Sequence, residues 1–396
     1  GAFTTVTTTS TINGLTVGKG AGAVSTNTAV GASALNSNST GSNITAVGSG
    51  AYALGTASAN DAFCQGSMGG GIVTGVSNAA FGRNSLNSLT SGTLNTAIGS
   101  AAMELNTTGS YNTAVGRQAL TSNTTANRNA AVGYQSMYTN STGAENSALG
   151  HSSLYANTTG NYNVGVGGGA LQSNTTASNN TAVGYQSGNS NTTGSGNTFL
   201  GYTAGYSTTG GYNTFVGNSP NYGAGFLITT GTKNTIIGGY NGNQSGLDIR
   251  TASNHIVLSD GDGNPRLILD GPNGNLRVPA VYALTTASAS NMFVASDGYI
   301  YRSTSALKYK QDVRNLEDMD ISALRPVRYK SKGEKDDQTK DHFGLIADEA
   351  ADAGFEELVT RGADGEVEGF QYERLTVVLL KELQSLRTRV AQLESN

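Results

Sequence analysis

The first 245 residues of this chain hold little charge. Residues 1–245 carry eight charged side chains: Lys19, Asp61, Arg83, Glu104, Arg117, Arg128, Glu145 and Lys233. The rest lie beyond 245, and the whole chain balances to −4. With no basic block, nucleic acid and anionic membranes are poor partners. Tryptophan is absent, and one cysteine, Cys64, cannot close an internal disulfide. No stretch approaches 18 consecutive apolar residues, so no membrane insertion is expected. The opening Gly1-Ala2-Phe3-Thr4-Thr5 lacks a basic and an apolar region and does not read as a signal peptide. Gly69-Gly70-Gly71 is not followed by Lys-Ser/Thr, which excludes a phosphate loop. Asp61, Glu104 and Glu145 form no recurring carboxylate pair, against a glycan-cleaving cleft. No cofactor or metal is expected.

What is present is a repeat, in a chain rich in glycine (55 residues). The phrase Asn27-Thr28-Ala29-Val30-Gly31 returns with small changes. Its apolar fourth position is read at Val30, Val47, Cys64, Phe81, Ile98, Val115, Val132, Leu149, Val166, Val183 and Leu200, in steps of 17. Val216 and Ile237 follow after 16 and 21. A second apolar column holds Leu35, Tyr52, Leu86, Met103, Leu120, Met137, Leu154 and Leu171, after small residues such as Ala34, Ala51, Ala102 and Ala119. Turns such as Asn106-Thr107-Thr108-Gly109 close each repeat.

One repeat cannot bury its apolar residues alone, but stacked coils can. The expected fold is therefore mainly β: a parallel β-roll or solenoid with one 17-residue repeat per coil. At a strand spacing of about 4.8 Å a dozen coils make a rod on the order of 60 Å. Stacked like charges would repel, whereas stacked Asn and Thr can hydrogen-bond as ladders. Both apolar columns are expected in the core, Cys64 among them as a small buried residue. The small Ala and Gly positions suit close approach between chains on a three-fold axis. The sequons at Asn106, Asn123, Asn140, Asn157 and Asn174 read as repeat turns rather than glycan acceptors. Tyr134, Tyr185 and Tyr202 follow the repeat glycine and suit packing between chains, or stacking on sugars.

Three regions follow: a repeat shaft or head, 1–245; a β-rich neck, 246–301; and a small α/β domain, 302–396. In the neck, Asp260-Gly261-Asp262-Gly263-Asn264 lacks the Glu of a calcium loop at its twelfth position, Gly271, and reads as a hairpin turn. The last helix carries Leu379, Leu383, Leu386, Val390 and Leu393 in steps of 4, 3, 4 and 3. That is a heptad seam suited to a three-helix coiled-coil tip.

The Asn-Thr-Ala-Val-Gly phrase resembles the repeats of trimeric autotransporter adhesin heads, and more closely those of bacteriophage tail fibres, including Asn13-Gly14-Leu15-Thr16-Val17-Gly18. Its 17-residue period is longer than the adhesin repeat. Beyond Arg302, three blocks resemble the intramolecular chaperone domain of phage tailspikes and endosialidases: Ser305–Val313, Leu324–Lys330, and Phe343–Glu349 with Tyr372-Glu373-Arg374-Leu375. The resemblance implies a homotrimer and a single-turnover, self-cleaving serine endopeptidase with Ser305 as nucleophile and Lys310 as base. A serine hydroxyl needs a base, and a desolvated lysine can serve. The cut is placed within Ser303–Ser305, beside Ser305. Ser303 and Lys308 are also five apart; Ser305/Lys310 is preferred because it leaves Lys308 where the family has Arg and Val313 where it has Ile. Ala306 and Asp348 stand where the family often has Asp or Ser, and Gln. His342 is a candidate for orienting the site.

The implied function is a structural virion tail fibre. Its partners would be its own copies, other tail proteins and a host-surface glycan or outer-surface protein. The alternative is a fragment of a bacterial trimeric surface adhesin, which is expected to carry a signal peptide and a membrane β-barrel. A glycan-degrading tailspike ranks behind both.

Overall fold

The computed structural model describes residues 10–12, 15–38, 40–220, 222–271, 274–279, 292–294, 300–302, 311–317, 319–332, 337–362 and 364–395. The chain divides into two compact units, Gly1–Thr285 and Thr286–Asn396.

The first unit is a parallel β-solenoid. Fourteen short strands stack in register from Thr28–Val30 to Ile256–Ser259. The ladder thus continues past the charge step near 245, because Ile256, Val257 and Leu258 pair with Thr235, Ile236 and Ile237. Antiparallel strands cover both ends. Leu15–Gly18 pairs with Thr28–Val30, and Ser10–Ile12 pairs with Leu15–Gly18. At the far end, Pro265–Asp270 covers Ile256–Ser259 and is itself paired with Asn275–Arg277. Covering an edge strand removes a template for unwanted pairing.

Two features of the core correct the sequence reading. In each strand the middle residue is buried, and its neighbours face outward. The core column is therefore Ala29, Ala46, Ala62, Ala80, Ala97, Ala114, Ala131 and Ala148, then Ala182, Phe199, Phe215, Ile236 and Val257. The Val column is not core in the single chain: Phe81, Ile98, Leu149 and Leu200 are 41–52% exposed. Strand alternation is the reason, since successive side chains point to opposite faces.

Cys64 is the second correction. Val47 pairs with Phe63, and Phe63 with Phe81, so the apolar residue of that coil is Phe63. Asn60-Asp61-Ala62-Phe63-Cys64 is a complete copy of the repeat phrase, and Cys64 takes the place of glycine. It is exposed, with φ +93°. The glycines of that column, Gly31 to Gly238, have φ between +112° and +139°. A Cβ on Gly116 would lie 2.5 Å from the Gly133 carbonyl oxygen of the next coil. The small positions thus serve coil-to-coil contact within the chain. Ala51, Ala102 and Ala119 are likewise fully buried inside the coil.

The second apolar column is core, as expected, and Met68 fills its gap; each member is fully buried. These residues sit in the left-handed region, for example Leu86 at φ +49° and Leu120 at +52°. That conformation costs about 1–2 kcal/mol per residue, offset here by burying the side chain. Around the Phe residues of the Ala column this column switches to Gly, beginning one coil early at Gly188, where a Cβ would meet the Phe199 ring at 2.7 Å. A Cβ on Gly205 would meet the Phe199 ring at 2.5 Å, and one on Gly225 the Phe215 ring at 2.4 Å.

Buried asparagines form two ladders. In one, the Asn112 side chain accepts from the Asn129 backbone N–H (2.9 Å) and donates to the Ala126 carbonyl (2.9 Å). In the other, Nδ2 of Asn123, Asn140, Asn157, Asn174 and Asn191 each donates to Oδ1 of the Asn one coil earlier, at 2.7–3.3 Å. The sequon asparagines Asn106 to Asn174 are in this second ladder and fully buried, as repeat turns require. The Asp260 loop is a turn, its carboxylate accepting from the Asn264 backbone and the Arg266 guanidinium (2.8 and 2.6 Å).

Candidate functional site

The second unit is small. Val327–Lys330 and Asp341–Gly344 form one antiparallel hairpin, and Val359–Arg361 and Val367–Phe370 another. A short helix, Ala347–Asp352, lies between them, and a 23-residue helix, Tyr372–Glu394, ends the chain. Ala350, Phe355, Leu358, Val359 and Val378 make its buried core. Among the described residues only these five are fully inside, with partly buried side chains such as Met319, Ile321, Phe370 and Leu375 packed on them, and polar ties supplement this core. The Leu345 N–H donates to the Tyr372 hydroxyl (2.8 Å), the Gln371 N–H to the Leu358 carbonyl (2.7 Å), and the Met319 N–H to the Glu382 carboxylate (3.2 Å). Ion pairs join Arg325 to Glu349, and Arg361 to Glu356 (2.7 Å). Hydrogen bonds from these arginines hold both carboxyls below the usual carboxylate range.

Three separated sequence blocks converge on one apolar cavity of about 360 Å³. Leu324, Pro326 and Val327 come from the Leu324–Lys330 block, Phe343, Gly344 and Leu345 from the Phe343–Glu349 block, and Tyr372 and Leu375 from the start of the long helix. Phe343 is 85% exposed at its rim. Leu379, the first residue of the heptad seam, also lines it. The seam continues outward through Leu383, Leu386, Val390 and Leu393, all exposed. The cavity was not foreseen, since its residues are far apart in the chain; their membership of the quoted blocks was the available signal.

Residues 305–360 match a family model described as the chaperone of endosialidase. The matched segment includes the first hairpin and the short helix, but neither the solenoid nor the terminal helix. No curated protein and no solved structure matches the chain.

Ser305 and Lys310 begin the matched segment and lie outside the described residues, as do Ser303 and Lys308. His342, the candidate for orienting them, sits in the first hairpin with its ring 5.7 Å from that of Tyr329. Its Nε2 is buried and finds no hydrogen-bond partner among the described residues.

In the solenoid, Tyr134, Tyr185 and Tyr202 are exposed, as expected of residues after the repeat glycine. Tyr134 stacks on His151 (5.4 Å) under Arg117, and Tyr185 on Tyr202 (5.7 Å). Stacking thus covers one face of Tyr185 and of Tyr202, while Tyr134 lies between His151 and Arg117. Among the described residues no group of His, Cys, Asp and Glu could hold a metal, and no helix is long and apolar enough to cross a membrane.

Proposed function

We propose that this chain is the shaft or head of a homotrimeric virion tail fibre that contacts a host surface, and that its C-terminal unit is an intramolecular chaperone that assembles the trimer. The observation that carries the reading is the pairing of a charge-poor parallel solenoid with a segment, 305–360, matched by the chaperone-of-endosialidase model. Parallel coils form contacts slowly and expose edges while they do so. A unit that associates first, through the exposed Leu379–Leu393 seam, would hold three chains in register while the coils close.

Self-cleavage completes the proposal. The Ser305 hydroxyl attacks the carbonyl carbon of Thr304, and the Lys310 amine takes its proton. The bond from Thr304 to the Ser305 nitrogen breaks, the proton passes to the leaving amine, and an ester remains on Ser305. Water then hydrolyses the ester to a carboxylate on Thr304. Releasing the chaperone removes the element through which assembly could be reversed, leaving a kinetically stable fibre.

Two measurements on the full chain test this. Light scattering should return three copies. Intact mass under denaturing conditions should show a fragment beginning at Ser305 in the wild type and in Ser303→Ala, and none in Ser305→Ala. An uncut trimeric wild type would remove the dyad and leave the fibre. A monomer would end the trimeric reading.

A further inference from the structure

The repeats serve as an internal alignment, because each outward column samples the same environment fourteen times. The column before the ladder asparagines accepts Arg128, Glu145, Lys233 and Gly196. The column after the repeat glycine accepts Arg83, Arg117 and His151, and the Thr column accepts Asp61. These are tolerances of a solvated surface. The Val column, from Val30 to Leu258, accepts only Val, Ile, Leu and Phe in all fourteen strands, although its members are half-buried or exposed. Side chains free to face water would not be held apolar at every level while neighbouring columns vary.

We infer that this column is the seam along which copies of the chain meet, parallel and in register. The inference rests on the trimeric reading above and names the face it uses. Its area fits: side chains of this kind leave on the order of 50 Å² each, so the stripe offers roughly 700 Å² per copy, near the ~800 Å² per partner of a standard interface. A contiguous apolar patch above a few hundred Å² marks an interaction surface. Its form also selects the occupant. The stripe is uncharged, one residue wide, and repeats about every 4.8 Å. A second copy, laid parallel, matches it level by level, Ile98 against Ile98 and Leu149 against Leu149, with no charge to desolvate.

The test uses the full chain with Cys64→Gly, so that introduced cysteines are the only thiols. Nitroxide labels are placed singly at Ile98, Leu149 or Val183 on the stripe, and at Leu94, Glu145 or Asn179 on the column before the ladder asparagines. Pulsed electron resonance then reads the distance between copies. Stripe positions should give the shortest distances, equal along the rod. A trimer in which the control column is closer, or in which stripe distances grow from Ile98 to Val183, overturns the seam and leaves the fibre reading intact. An unlabelled Cys64→Gly chain that light scattering finds monomeric overturns both.

Discussion

At Cys64 the chain puts a side chain where the other coils from Gly31 to Gly238 have none, at a backbone angle of φ +93°. Glycine adopts such angles freely, whereas other residues are strained there. Cys64→Gly should therefore stabilise the solenoid by about 0.5–1 kcal/mol, once the larger entropy of the glycine-containing unfolded chain is subtracted. A raised denaturation midpoint checks this; a lowered one would show that the thiol makes a contact worth more than the strain. The opposite change, Gly116→Ala, forces a Cβ to 2.5 Å from the Gly133 carbonyl. It should cost about 3 kcal/mol, read as a loss of midpoint at unchanged slope.

Each coil is held by what it does to the next one. Asn112→Ala would strand the Asn129 N–H and remove a donor from the Ala126 carbonyl. Two buried groups left without that partner should cost roughly 2–4 kcal/mol, measured by denaturant unfolding, and an exposed change such as Thr108→Ala should cost under ~0.5 kcal/mol. The Phe199–Gly205 pair offers a compensation test. Gly205→Leu alone should clash with the Phe199 ring, and Phe199→Ala alone should leave a cavity costing about 3–5 kcal/mol. The double variant rebuilds the Ala-and-Leu arrangement seen at Ala114 and Leu120 and should recover most of the loss. If both single costs simply add in the double, the two residues are not a size-matched pair.

Over the whole molecule the two units should answer pH differently. Arg325 and Arg361 hold Glu349 and Glu356 below the usual carboxylate range. That stability is present above the unfolded carboxylate value and is lost as pH falls through the lowered ones. In the solenoid, burial pushes Tyr52 up to about 12, against the opposing effect of its hydrogen bonds with the Asn60 amide, which donates to it, and the Ala57 carbonyl, which accepts from it, and pushes Tyr240 higher still. The neutral phenols contribute fully below pH ~10, and the contribution is lost as pH rises through the raised values. Circular dichroism melts should therefore show the helical transition weakening in acid and the β transition weakening only in strong alkali. A β transition that collapses first on acidification would contradict this. Some of this architecture was legible in the residues alone. The 17-residue period, the scarcity of charge and the turns bounded by Asn and Gly determined a stacked parallel solenoid, since stacking magnifies repulsion between like charges and lets Asn and Thr form ladders. The 4-3-4-3 leucine spacing likewise placed an apolar seam on the last helix. Only the tertiary structure decided which apolar column is inside. Both have the same period, and a three-residue strand does not say which of its faces looks inward. It also moved Cys64 from the apolar column to the glycine column, because a 16-residue coil followed by an 18-residue one conserves the count while shifting the register by one. The cavity under Phe343 was decided in the same way, by bringing together segments that are distant in the chain.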